Sequence, residues 1–498
     1  MNQMPTVARR LCQILVPLLL LAAGACTTNP ATGKAEFTPF LTPAQEIALG
    51  AQEHPKLTAE FGGIYDDPEI GGYLAEVGGR LAAASELPDL DFTFTLLNSP
   101  VVNAFALPGG YVYMSRGLLA LFNDEAEMAS VLGHEIGHVT ARHSANRYNR
   151  SIFVGLGAAV TSAAVGSNIV TDLLNQGTQL YLLSYSRGQE LQADSLGIRY
   201  VDRVRYDPLG SPRMLGSLGA YSDLQARISG QQAQQTPSIF RTHPLSSERV
   251  EKALQTVRAL PQDRQSGAKN RDRFLNAIDG MIFGDDPAQG IAEDGVFRHP
   301  ALKLAFAVPS GYTLRNTEEA VYISGPGDFT GLFTGGSVAA NKTNDQLLQE
   351  AWASIAGTDA AALGNLQRFQ VNGIDAVTGT AVIGDVRQSS DVRMVVYRYD
   401  AAHGYSFLFL TPRGGLAQAS SAVQSMIGSF RKISDAEAAE VRALRIKVVT
   451  VEPGDTPTSL AEGMAFESHR LDRFLVLNGL SRDAVLKAGA RVKLVVRD

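Results

Sequence analysis

The stretch Val131–Leu132–Gly133–His134–Glu135–Ile136–Gly137–His138 sets two histidines four residues apart, with a glutamate beside the first. On a helix, positions four apart share one face, so both imidazoles can grip one metal ion. Glu135 then reaches a water at that ion and is the candidate general base. A catalytic zinc takes three protein ligands and leaves one position open. His143 lies five residues past His138, too near on the same helix to close around the ion. A carboxylate from a second helix is the alternative. Ser186–Arg187–Gly188–Gln189–Glu190–Leu191–Gln192–Ala193–Asp194 offers two, one helical turn apart. Glu190 reads as the third ligand, and Asp194 as the acceptor of a ring N–H from a ligand histidine. From spacing alone, the same pair reads equally well as a solvated acidic face.

Composition narrows the rest. The 498 residues are 45% hydrophobic and 19% charged, which excludes disorder and a polytopic membrane protein. At about 150 residues per domain, the length suggests three domains. Forty-four Lys and Arg against 50 Asp and Glu give −6, so no basic surplus drives binding to nucleic acid. The two cysteines, Cys12 and Cys26, exclude a disulfide scaffold and a cysteine-built zinc site.

Residues 1–25 read as an export signal. Arg9 and Arg10 precede an apolar run from Ile14 to Ala23, too short to span a bilayer. Two endings compete. Ala23-x-Ala25 fits ordinary cleavage, while small residues directly before Cys26 fit a lipoprotein signal that acylates that cysteine. The second is preferred, because a lone cysteine there otherwise has no use. Thr27 stands where an inner-membrane retention signal would have Asp, which points to the inner face of the outer membrane.

Residues 26–41 read as a polar tether rich in turn formers. Thr42 and Pro43 open a mainly helical region that runs to about Leu260, with a strand-like patch at 92–115. The polar segment 261–290 reads as a linker. From 291 to 432 the periodicity is near two, as in Leu302, Leu304, Phe306 and Val308, and Asn372–Gly373 marks a hairpin. Helices are expected at 345–356 and 416–430. This is a separate α+β domain with no chemistry assigned. Residues 446–498 read as a small βααβ unit, with its second helix after Asn478–Gly479. The charge-free stretch Ser151–Thr171 reads as a buried helical hairpin or active-site cover. His54, His299, His403 and His469 read as surface or structural residues, and Trp352 as core with Leu348 and Ile355.

Several of these segments together resemble metallopeptidase family M48. They are Asn103–Ala104–Phe105–Ala106–Leu107–Pro108–Gly109–Gly110–Tyr111–Val112–Tyr113, Arg116–Gly117–Leu118–Leu119, the H-E-x-x-H run, Arg142–His143 and the Ser186–Asp194 run. The family includes HtpX-type membrane proteases, CAAX prenyl proteases and periplasmic quality-control proteases. The resemblance covers roughly residues 40–260. It implies a mainly α, gluzincin-type zincin with a small sheet. It also implies one Zn²⁺ held by His134, His138 and Glu190, with Glu135 catalytic. Asn103, Phe105, Gly109, Gly110 and Tyr111 would lie on the edge strand that receives a peptide, since strand addition supplies backbone bonds to an extended chain.

His243, in Arg241–Thr242–His243–Pro244, belongs to a His-Pro segment that recurs in the family. Pro244 biases it to an extended loop. His243 could fill the open zinc position in a resting state, donate to a substrate oxyanion, or merely pack. The terminal unit resembles a LysM module through Pro453–Gly454–Asp455–Thr456, Leu477–Asn478–Gly479–Leu480 and Gly489–Ala490–Arg491–Val492. That resemblance implies peptidoglycan as a partner; a purely structural module is equally open.

Together these readings predict an exported, lipid-anchored zinc endopeptidase of the periplasm that removes misfolded or misassembled envelope proteins. The rival is an envelope assembly factor or chaperone with little turnover.

Overall fold

The computed structural model describes residues 26–37, 41–148, 184–229, 238–317, 320–356, 362–384 and 389–498. The signal and the Ser151–Thr171 stretch lie outside the described residues. Two compact units result. One contains Ile64–Met281 and Arg445–Val496, with the N-terminal residues up to Thr58; the other is mainly Ile282–Leu444.

The first unit is built around helix α4 (Glu125–Thr140), which carries the H-E-x-x-H run. Every residue of α4 except Val131 is buried, with Glu125, Glu127, His134, Glu135 and His138 among them. Asp124 caps its N-terminus, its side chain accepting from the Glu127 N–H at 2.9 Å. The helices around it are α1 (Pro43–Glu60), α2 (Pro68–Ala83), α3 (Arg116–Leu119), α5 (Arg187–Arg203), α6 (Gly210–Ser229), α7 (Ser238–Thr242), α8 (Ser247–Arg258) and α9 (Arg271–Ile278). The closest neighbour of α4 is α5. A Cβ on Gly197 would stand 2.8 Å from the His134 nitrogen, and one on Gly137 would stand 3.1 Å from the Ala193 oxygen. Glycine at these points lets the two backbones meet, which brings the acidic face of α5 against the two histidines.

A three-stranded sheet flanks α4. Its order is β3 (Thr93–Leu97), β5 (Tyr111–Ser115), β4 (Ala104–Leu107). The β3–β5 pair is parallel, with Thr93 opposite Tyr111, and the β5–β4 pair is antiparallel, with Phe105 opposite Tyr113.

Three expectations change here. The segment 26–41 is not a free tether: β1 (Cys26–Thr28) pairs with β2 (Ala35–Phe37). The 261–290 linker contains α9, whose Phe274, Leu275 and Ile278 are buried in the first unit. The terminal unit belongs to the first unit too. It runs strand Leu444–Thr450, helices Pro457–Glu462 and Arg470–Leu477, strand Arg491–Arg497. Both helices precede Asn478–Gly479, and the second strand inserts Lys493, fully buried, against the Ala120 carbonyl at 2.7 Å and the Phe122 carbonyl. The peptide after α3 leaves those carbonyls without helical partners, and the ammonium supplies one to each.

In the second unit a seven-stranded antiparallel sheet runs, in spatial order, Thr313–Asn316, Val321–Gly325, Phe329–Ser337, His403–Pro412, Ser389–Arg398, Ile374–Gly384, Gly364–Val371. Asn372 and Gly373 turn the last hairpin with φ of 50° and 78°, the mirror-image turn that Asn-Gly favours. Helix Asn344–Ala356 buries Leu348 and Trp352 on one face, while Ile355 stays exposed. Leu302 lies outside the strand Leu304–Ala307 and is exposed.

Candidate metal centre

The α4–α5 crossing converges four side chains. His134, His138, Glu190 and His243 are all buried, and each offers one ligand atom within 4.8 Å of the others. His134 Nε2 lies 3.0 Å from His138 Nε2 and 3.3 Å from His243 Nδ1. Glu190 Oε1 stands 3.0 Å from His243 Nδ1 and 3.4 Å from His138 Nε2. Ligands at about 2.0 Å from one tetrahedral ion are about 3.3 Å apart, and these separations bracket that spacing. The donor set, three imidazoles and a carboxylate, suits zinc.

The charges agree. Glu135, Glu190 and Asp194 are three buried carboxylates, and Arg249 is the buried cation among them. A divalent cation would balance that surplus. Burial pushes the Glu190 carboxyl up, but His243, His138 and His134 outweigh it and hold it well below the usual carboxylate range. Burial drives the His138 imidazole well below its ordinary value, which keeps it neutral and able to ligate. Burial pushes the Glu135 carboxyl up, only partly opposed by His243 and His134. That raises its basicity.

The far sides of the ligands are also held. His134 Nδ1 is 2.9 Å from Asp194 Oδ1, and Arg249 grips that carboxylate through Nε and Nη2. His138 Nδ1 lies 2.9 Å from His143 Nδ1, and His143 reaches Gln192 Oε1 at 3.2 Å. Arg142, at φ 53°, turns the chain back so that His143 can do this. Tyr185 stacks on His138 with ring centroids 3.8 Å apart.

Residues 69–257 match the model described as peptidase family M48. The chain carries a family M48 peptidase domain. It is similar to the beta-barrel assembly-enhancing protease of Yersinia pestis, 32% identical over 251 residues, covering 49% of this chain and 50% of that one. It is also similar to the beta-barrel assembly-enhancing protease of Escherichia coli strain K12, 34% identical over 38% of this chain and 39% of that one. Against the mitochondrial metalloendopeptidase OMA1 of Arabidopsis thaliana, identity is 35% over 28% of each chain. The chain thus spans half or less of the length of these relatives. The solution structure of cyanobacterial PsbP from Synechocystis covers 30% of this chain at 16% identity and a TM-score of 0.23, too low to carry an argument.

Within the M48 domain the expected edge strand is placed differently. Phe105 is on β4, which is the edge, but Tyr111 is on the central strand β5. Gly109 and Gly110 form the turn between them, with φ of 83° and 92° that an L side chain would strain. Asn103 precedes β4 and exchanges backbone and side-chain bonds with Ser115. All four residues of β4 are buried. Ser144 Oγ donates to the Ala106 carbonyl at 3.1 Å, and the Ile239 N–H of α7 donates to the Val102 carbonyl at 3.2 Å.

His243 follows α7 directly, so one segment lies against both the strand and the ligand cluster. The cavity beside Glu135, lined by Val131, Met214, Leu215, Leu218 and Ile239, has only about 40 Å³. Sequence reading missed Arg249 and Tyr185, which meet their partners only through the tertiary fold, and set His143 aside as a ligand without its bond to His138. His54 bonds Tyr113 through Nδ1 at 2.7 Å, and His403 bonds Asp400 at 2.9 Å, both away from the cluster.

Proposed function

We propose that the protein is a zinc-dependent endopeptidase of the bacterial cell envelope that cuts misfolded or misassembled envelope proteins. The observation that carries this reading is the buried set of three imidazoles and one carboxylate with Glu135 beside it. His134, His138 and Glu190 would hold the ion. Bound there, zinc would polarise the scissile carbonyl and acidify the attacking water. Glu135 would take the proton of the attacking water and return it to the leaving amine. Asp194 fixes the His134 ring through Nδ1. The names of the relatives, an assembly-enhancing protease and a metalloendopeptidase, support the substrate class.

His243 Nδ1 lies 3.0 Å from Glu190 Oε1 and 3.3 Å from His134 Nε2, while the Ile239 N–H of α7 bonds the Val102 carbonyl just before β4. We read this as a resting state in which peptide access and the open metal position are blocked together. The alternative role of His243, donation to the substrate oxyanion, requires the same side chain to swing toward the carbonyl.

The acylated Cys26, at the inner face of the outer membrane, and the binding of peptidoglycan by residues 446–498 complete the proposal. Sedimentation of the full chain with insoluble peptidoglycan tests the glycan partner: retention no greater than that of a control protein leaves the terminal unit a structural one. For the enzyme itself, a chelator should abolish cleavage of unfolded casein, and zinc should restore it. Full activity in the chelated, zinc-free protein would rule the proposal out.

A further inference from the structure

We infer that the turn after Cys26 fastens the catalytic helix to a lipid surface, so that the site acts on polypeptide at the bilayer and not in bulk solution. This rests on the reading of Cys26 as the acylated residue.

The segment around Asn29 has the composition of a tether, yet it is bound at several points. Asn29 is 2% exposed. Its Nδ2 donates to the Ala141 carbonyl at 2.9 Å, and its Oδ1 accepts from the Ala31 and Thr32 N–H groups at 3.0 and 3.1 Å. The Ala31 N–H also reaches the Thr140 carbonyl at 3.3 Å, and the turn closes on itself through Asn29 N–H to Lys34 at 2.8 Å. Thr140 ends α4 and Ala141 caps it. The turn therefore satisfies carbonyls at the end of the helix that carries His134, Glu135 and His138, carbonyls that a helix terminus otherwise leaves to water.

The geometry leaves little slack. Cys26 is paired opposite Phe37 in the β1–β2 hairpin. From Cys26 to Asn29 the chain can span at most about 10 Å. From Ala141 back to His138 is about 5 Å along the helix axis. An acyl anchor on Cys26 thus puts the metal site within about 20 Å of the lipid surface. A flexible linker of twenty residues would instead let the domain roam over about 25 Å. A mere tether has no use for a buried amide at Asn29. A fixed height above the membrane does. The partner surface is the bilayer, and the substrate class is unfolded chain emerging beside it.

The test inserts about 20 Gly and Ser residues between Cys26 and Thr27 of the full-length protein, ahead of paired residues Thr27 and Thr28 and of the turn, in phosphatidylethanolamine–phosphatidylglycerol vesicles. Two substrates are compared: soluble unfolded casein, and a single-span reporter whose unfolded segment begins at the bilayer surface. Intact mass and co-sedimentation with the vesicles are read on the same samples. The expected result is casein cleavage within about twofold of wild type and reporter cleavage lowered about tenfold. Asn29→Ala, which keeps the chain length but releases the turn, should move the reporter rate in the same direction, with casein as the folding control. An acylated insertion variant with an unchanged reporter-to-casein ratio overturns this inference and leaves the anchor reading standing. A native protein with unmodified Cys26 overturns the anchor reading and this inference with it.

Discussion

Arg249 and Asp194 face each other through two parallel hydrogen bonds, Nε to Oδ2 at 2.8 Å and Nη2 to Oδ1 at 2.7 Å. The remaining arm of the same guanidinium, Nη1, lies 2.7 Å from Glu190 Oε2. One buried cation thus orients both the expected metal carboxylate and the carboxylate behind His134. Arg249→Met should lower the unfolding free energy by about 3–5 kcal/mol, the cost of leaving buried carboxylates unpaired. It should also weaken zinc binding. Arg249→Lys keeps the charge but loses the fork, and should fall between. Denaturant unfolding and zinc titration of the three proteins check the order.

Glu190→Gln should lower zinc content more than Asp194→Asn. Glu190 faces the ligand cluster, whereas Asp194 acts through His134 Nδ1. Loss of the outer partner costs about 10–100-fold in affinity, and loss of a ligand should exceed that. Metal analysis after dialysis decides it, and the reverse order would mean that the two roles are exchanged.

For His243 the two readings separate by sign. As a resting fourth ligand, His243→Ala should raise basal cleavage of unfolded protein. As an oxyanion donor, the same change should lower kcat by about 10²–10³ with zinc retained. The position of Nδ1, 3.0 Å from Glu190 Oε1, favours the increase. A rate unchanged at full zinc occupancy would eliminate both roles.

Lys493 gives a pH signature. Burial pulls its ammonium down to about 7 from an ordinary value of 10.5. Below pH 7 both folded and unfolded chains carry the proton, and the burial penalty is at its full size. Between pH 7 and 10.5 the unfolded chain keeps the proton while the folded chain sheds it, so stability rises as the penalty is relieved. The stability of the native protein relative to Lys493→Met should therefore increase from pH 7 to 9, by up to about 1.4 kcal/mol per pH unit. Denaturant unfolding at several pH values measures it. A difference that stays flat would show that the site does not shift this lysine.

What the sequence made legible follows the range of the interaction. His134 and His138 share a helix face by local periodicity, and Asn372–Gly373 dictates its own turn, so both could be read directly. Glu190 and Asp194 could be paired, but nothing local distinguished a metal site from a solvated face. Gly133, Gly137 and Gly197 make that distinction by letting α4 and α5 touch. Arg249 reaches Asp194 and Glu190 only across the fold, and His143 meets His138 only because the chain turns back at Arg142. Residues 26–41 have the composition of a tether, but Asn, Pro, Thr and Gly compose a docked turn as readily as a loose one. Helix α9 was missed because eight residues with three buried apolar positions carry little periodic signal. The terminal unit was read as independent because a single lysine in a strand gives no hint of the carbonyls it meets.

The most direct measurement is zinc stoichiometry and peptide hydrolysis of Glu135→Gln, side by side with wild type. Glu135 is buried beside the ligand cluster but is not one of the four ligand candidates. The account predicts one zinc per chain in both proteins, with hydrolysis of unfolded casein lost in the variant. Turnover near the wild-type rate at full zinc occupancy would contradict it.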